Sequence, residues 1–426
     1  MSSTAKKYLT LIVLGLAGGS IYIFPYLKYV FYGPLMKVLQ ITDSQSGFLL
    51  SMYAIGCVIL YIPPGGILAD KMQPRKALVL SLGLATLLNL AFAALVYMHL
   101  DPHTTYMVSC VIWFLDAFAS AFVFWTAILK AIRMIGTEEE QGRMYGIYYA
   151  ANGTTAAVVA AVNLWAYNLG GGDANMQNGF FFALISMAVF TAVAIVGILL
   201  LLDKDSKKDL STDATDQFHF SDVFAVLKMP AVWIVSIIMF CTYGVYSCAS
   251  YFTPYLTDVV GFSTTLAGVF SVIRTYVVML VAAPLGGWLA DKVFKSTLAW
   301  FRVGGAILGV SIVLVILLGT KANAMLIGLL TLIPGLFAMC LYGVQFSTMH
   351  EVNIPIKVAG TAIGIASIIG YLPDMFLSTW FGKIIENNAG ASGYFQIFWI
   401  LAFFCVVIVL GSAILYAKYV KPTKAK

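Results

Sequence analysis

Pro63-x-Gly65-Gly66-x-Leu68-Ala69-Asp70-Lys71 is written a second time as Pro284-x-Gly286-Gly287-x-Leu289-Ala290-Asp291-Lys292. Upstream of each copy stands another repeated phrase: Tyr22-x-x-Pro25-Tyr26-Leu27 before the first, Tyr251-x-x-Pro254-Tyr255-Leu256 before the second. The tyrosine phrases are offset by 229 residues (Tyr22 to Tyr251) and the glycine phrases by 221 (Pro63 to Pro284), so one connection is longer in the first copy. Self-similarity in fixed order over such a distance marks two copies of one large unit. Both copies lie in apolar sequence, and duplicated membrane bundles are a common way to build transporters.

Composition agrees. Of 426 residues 61% are hydrophobic and 10% charged, whereas soluble domains are roughly half apolar and about a quarter charged. The solvent is lipid. The net charge of +6 is scattered over short loops and forms no basic stripe, which argues against nucleic acid. The six cysteines sit in apolar stretches without metal-pair spacing and read as small buried apolar residues, so no metal site is expected. The N-terminal apolar run is too long for a cleaved signal and ends in no small-residue cleavage site. No glycine-rich phosphate loop followed by Lys-Ser/Thr is present, and neither ATP-driven pumping nor any cofactor is expected.

Apolar runs near 8–32, 44–69, 76–99, 104–133, 143–168, 178–202, 230–257, 263–290, 297–319, 323–349, 358–383 and 392–418 are each long enough to cross a bilayer, which takes about 20 residues. Backbone in lipid must satisfy itself, so these are helices. The sequence predicts an all-α membrane protein of twelve spans in two pseudo-symmetric six-helix bundles: residues 1–202, a cytoplasmic linker 203–229 and residues 230–426. Lysine and arginine concentrate in loops on one side and at both termini, with only Lys28, Lys37, Lys321 and Lys383 on or near the other. That bias puts both termini in the cytoplasm, and a bacterial inner membrane is the expected location.

The segment Gly65-Gly66-Ile67-Leu68-Ala69-Asp70-Lys71-Met72-Gln73-Pro74-Arg75-Lys76 resembles the signature loop of the major facilitator superfamily, and the Gly286-Gly287-Trp288-Leu289-Ala290-Asp291-Lys292 copy sits where that family repeats it. The resemblance extends over the whole chain. It implies secondary transport rather than enzymatic catalysis, with substrate held near the midplane between two halves that rock. It also implies that Gly66, Asp70, Arg75, Gly287 and Asp291 belong to a conformational latch. The second copy lacks a basic residue matching Arg75. Glu138-Glu139-Glu140-Gln141-Gly142-Arg143 resembles the inner loop of organic-anion and organophosphate carriers, which makes Arg143 and Arg133 candidates to hold Asp70; plain positive-inside anchoring is the other reading.

Inside the spans a few residues stand out. Arg274 lies 11 residues into span 8, about 16 Å deep, where a charge costs at least ~2.5–3.5 kcal/mol. A guanidinium grips carboxylate or phosphate through two parallel hydrogen bonds, so Arg274 is the first candidate to clamp an anion. The arrangement resembles the oxalate–formate exchange branch, although span 11 lacks that branch's lysine. A salt bridge to Asp374 is the structural alternative. Asp374 in span 11 and Asp116 in span 4 each read equally as a proton carrier or as a structural partner. Tyr22 and Tyr26 share one helix face, as do Tyr251 and Tyr255. They read as substrate or gate contacts, or as an interfacial aromatic belt, with the prolines bending the spans. Lys28 is expected to snorkel outward, Glu351 to cap structure at the inner surface, and the Gly142/Gly146 and Gly360/Gly364 pairs to mark close packing.

The expected activity is secondary transport of a small organic anion, carboxylate or phosphorylated, driven by protons or by exchange, in a protein expected to be monomeric. Rivals are a proton-coupled carrier of drugs or neutral solutes such as sugars or nucleosides, using Asp116 and Asp374, and a membrane sensor that moves nothing.

Overall fold

The computed structural model describes residues 3–61, 72–98, 100–122, 124–135, 140–202, 224, 226–319, 321–352, 354 and 356–421. Gly65, Gly66 and Asp70 of the first motif copy, and the joining stretch 203–223, lie outside them. The structure is helical throughout, and every predicted span contains helix. Among the described residues nine helices are long and apolar enough to cross a membrane. Large apolar side chains stand exposed on their outer faces, Leu87, Leu200, Val281 and Ile368 among them, as suits a surface solvated by lipid.

Contacts divide the chain into two compact units, residues 1–209 with 262–277, and residues 210–261 with 278–426. In the first unit span 1 packs on span 5, span 3 on span 6 and span 2 on span 4; in the second, 7 packs on 11, 9 on 12 and 8 on 10. The duplication read from two phrases is thus repeated in the internal pairing of the helices.

The paired Tyr-x-x-Pro phrases interrupt their helices, because a proline donates no backbone hydrogen bond and crowds the preceding turn. Span 1 is helical over Ser3–Ile21 and again over Lys28–Leu39. The turns between are held by short-range bonds such as Leu27 N–H to Phe24 O at 3.0 Å and Tyr29 N–H to Tyr26 O at 2.9 Å. The Trp113 indole of span 4 donates to the Pro25 carbonyl at 3.2 Å, so a neighbouring helix satisfies the opened backbone, as membrane burial requires. In span 7 the helix Pro230–Cys248 passes through a 3₁₀ turn, Ala249–Tyr251, into Phe252–Asp258.

Close approach falls on other glycines than spacing suggested. Gly146 and Gly364 face open space, whereas a Cβ at Gly15 would lie 2.9 Å from the Ala151 carbonyl carbon of span 5. Span 1 therefore supplies the small residues of the 1–5 contact, since a glycine repeat marks a narrow helix face and leaves open whether anything lies against it. Gly370 does meet a neighbour, the Met239 side chain of span 7.

Span 8 is continuous in sequence but divided in packing. Thr264–Val272 and the π-helical turn Ile273–Val277 belong to the first unit, and Val278–Trp288 to the second. Asp173 accepts the Thr264 N–H at 3.1 Å, the Thr265 hydroxyl bonds Asn168 at 2.7 Å, and the Ser271 hydroxyl donates to the Tyr29 carbonyl.

Candidate functional site

Among the described residues the buried charged side chains are Lys28, Asp116, Arg274 and Asp374. The first three fall in the first unit. Arg274 is 3% exposed and sits on the π turn Ile273–Val277; Asp116 is 1% exposed and lies two residues before another π turn, Phe118–Phe122. Such wide turns recur at functional sites. Lys28 is also 3% exposed, which corrects the expectation that it reaches outward. A straight span 1 would have carried it toward the surface, but the break at Tyr22–Leu27 starts a new helix whose first residues, Lys28 to Tyr32, are all buried.

Around these charges the first unit collects hydroxyls. Tyr22 donates to the Ser120 carbonyl at 3.1 Å, and the Tyr53 and Ser120 hydroxyls lie 2.9 Å apart. Ser120 in turn donates to the Asp116 carbonyl at 2.9 Å. Tyr26 packs its ring 5.1 Å from Tyr29 and 6.0 Å from Tyr53. Neither carboxyl oxygen of Asp116 has a hydrogen-bond partner among the described residues. A buried acceptor left without a donor is costly.

The second unit gathers a different set. Asp374, 7% exposed, accepts the Tyr243 hydroxyl at 2.5 Å. The Tyr243 ring lies 4.6 Å from Tyr371, 5.6 Å from Tyr342 and 6.1 Å from Tyr246, and Tyr246 stacks on Tyr342 at 4.5 Å. These tyrosines come from spans 7, 10 and 11. Sequence reasoning singled out Asp374 and passed over the cluster around it. The available signal was Tyr243 and Tyr246, both in span 7 and well away from either membrane surface.

The proposed tyrosine contacts take three forms. Tyr251 and Tyr255 are fully buried and spend their hydroxyls on backbone carbonyls, Ser378 at 2.7 Å and Gly319 at 2.8 Å. They tie span 7 to spans 11 and 9. Tyr22 ties span 1 to span 4 through Ser120, and Tyr26 stays half-buried against two rings.

In the first unit Arg75 donates to the Leu199 carbonyl and the Arg143 guanidinium lies 5.4 Å from the Tyr8 ring centroid. Lys7 pairs with Glu140. Arg143 thus bears on span 1, and its expected partner Asp70 lies outside the described residues. In the second unit Asp291 is exposed, and the helix that follows is held by Glu351. That carboxylate accepts from the Ser296 hydroxyl at 2.7 Å, the Thr297 N–H at 2.5 Å and the Leu298 N–H at 3.1 Å, an acidic group at a helix N-terminus where the macrodipole favours it. Glu351 thus caps a helix. Gly286 is the tight glycine of the motif: a Cβ there would lie 2.9 Å from the Cys340 carbonyl carbon, whereas at Gly287 the nearest atom is 3.9 Å away.

The profile of the Major Facilitator Superfamily matches residues 9–378. The chain belongs to the Major Facilitator Superfamily and is a secondary transporter in the membrane, not an enzyme. It is 28% identical over 407 residues to the inner membrane protein YihN of Escherichia coli (strain K12), covering 94% of this chain and 93% of that one. Over 170 residues it is 25% identical to "Probable anion transporter 1, chloroplastic" of Oryza sativa subsp. japonica, covering 38% and 31% of the two chains. Its fold is similar to the crystal structure of a D-xylose–proton symporter, with a TM-score of 0.72 at 18% identity over 97% and 96% of the chains.

Proposed function

We propose that the chain carries a small organic anion, carboxylate or phosphorylated, by alternating access in a bacterial inner membrane, coupled to protons or to exchange of a second anion. The observation that carries this reading is the burial of Arg274, 3% exposed, on a π turn within an apolar span. Lys28 and Asp116 are buried in the same unit. A guanidinium offers a carboxylate or phosphate two parallel charge-assisted hydrogen bonds, and an anionic guest suits a chamber that buries cations. Arg274 is the clamp, Lys28 adds field, and Asp116 is the candidate proton carrier. The partial likeness to a rice protein named for anion transport points the same way.

Counterflow in proteoliposomes, combined with a thermal-shift screen of organic acids, phosphates, sugars and cations, tests this. Ligands that bind only the folded state raise apparent stability by mass action. Wild type is expected to respond to anions, and Arg274→Gln is expected to fold but lose that response by at least about tenfold, the size of one charge-assisted hydrogen bond. Stabilisation by cations or neutral solutes alone would favour a drug or neutral-solute carrier, with Arg274 as scaffold. A protein that bound ligand yet moved no label would be a sensor.

A further inference from the structure

Asn163 of span 5 is 0% exposed. The Ser186 hydroxyl of span 6 donates to its side-chain carbonyl oxygen, and its amide nitrogen has no hydrogen-bond partner among the described residues. A buried donor left unmade is costly, and buried polar groups in native proteins are paired with protein or with ordered water. Asn163 lines a cavity of about 10 Å³, close to the smallest space that admits one water molecule. The cavity lies inside the first unit, where the break in span 1 meets spans 5, 6 and 8. Ile23, Leu27 and Met187 on its walls are buried, and Tyr26 and Tyr276 are half-buried.

The size excludes an organic solute. An amide N–H needs an acceptor, which a metal cation is not. Among the described residues lining the cavity none is charged, so a lone anion there would go uncompensated. Water meets both demands, since it accepts from one side and donates to the other. A second partner is at hand in span 1. The backbone bonds that close its break end on the carbonyls of Ser20, Phe24, Tyr26 and Leu27, and Pro25 receives the Trp113 indole; the Ile23 carbonyl is not among these acceptors. Breaks at proline in membrane helices free backbone groups that ordered water can satisfy. We propose that one ordered water molecule occupies this cavity, accepting from Asn163 Nδ2 and donating to the Ile23 carbonyl, so that it ties span 5 to the opened backbone of span 1. The site holds whatever solute the protein carries.

Radiolytic footprinting tests this on the purified full-length protein. X-rays split bound water as well as bulk water, and the hydroxyl radical oxidises the side chain beside it. Met187 lines the cavity and is 1% exposed; Met144, 0% exposed and away from the lining, is the control. Hydrogen peroxide added to the solution reports access from bulk to the same two sulfurs. Radiolysis is expected to oxidise Met187 several-fold faster than Met144, while peroxide leaves both equally slow. Asn163→Leu replaces the amide with an apolar group of similar volume and is expected to bring Met187 down to the Met144 rate. Should Asn163→Leu not fold, Ala160→Val fills the cavity from the same span with the amide intact and is expected to do the same. Equal radiolytic rates for Met187 and Met144 in wild type overturn the proposal. So does a fast Met187 rate that survives in the folded variant or that peroxide reproduces, because the oxidant then comes from bulk or from water held elsewhere.

Discussion

Replacing Gly286 by alanine inserts one methyl group where span 8 crosses span 10. The added carbon would sit 2.9 Å from the Cys340 carbonyl carbon and 3.0 Å from its Cα, and closer still to the carbonyl oxygen. Ordinary van der Waals contact begins near 3.4 Å, so the two helices must separate by at least half an ångström. The obstacle is main chain and has no rotamer to escape into. Overpacking of this kind costs ~1–3 kcal/mol, and a backbone obstacle places Gly286→Ala at the upper end. About 3 kcal/mol corresponds to a shift on the order of a hundredfold in the folding equilibrium. Gly287→Ala is the control, because its nearest neighbour is a Val344 methyl at 3.9 Å and alanine is the better helix former. Denaturation of detergent-purified protein compares the two. Gly286→Ala is expected to lose several degrees of melting temperature and folded yield, with Gly287→Ala at or above wild type. If Gly286→Ala melts with wild type while Gly287→Ala is destabilised, the assignment of the close approach to Gly286 is wrong.

Glu351→Gln removes the charge that holds two N-terminal amides of span 9 and the Ser296 hydroxyl. A loss of ~1 kcal/mol is expected by analogy with helix caps, and Glu351→Ala should lose more in the same denaturation assay. Asp116→Asn is expected to keep counterflow, which needs no net proton movement, and to lose accumulation driven by an imposed pH gradient in proteoliposomes. Retention of gradient-driven accumulation would remove Asp116 from the proton path.

The duplicated phrases and the breaks at Pro25 and Pro254 were legible because proline acts on the backbone locally, whatever surrounds it. The burial of Arg274 and Asp116 was legible because a charge within an apolar run has few places to go. Lys28 was misjudged because its orientation depends on a helix restarting after a break, and periodicity assumes continuity. Gly286 and Gly287 are indistinguishable as letters; only the path of span 10 separates them. The tyrosine cluster escaped notice because tyrosine serves equally at an interface, in a core and against a ligand. Its members come from spans 7, 10 and 11, whose adjacency the sequence does not state.

The π turn Ile273–Val277 has a geometric consequence for span 8. Each residue of an α-helix advances by about 100°, and a wide turn holds one residue more than an ordinary one. The side chains beyond it are therefore rotated by roughly that angle relative to an uninterrupted helix. Arg274 lies within the turn and Gly286 beyond it, so the direction of the guanidinium and the helix face laid against Cys340 obey separate registers. Deleting one residue at the turn would merge the two registers and force one of these requirements to yield to the other.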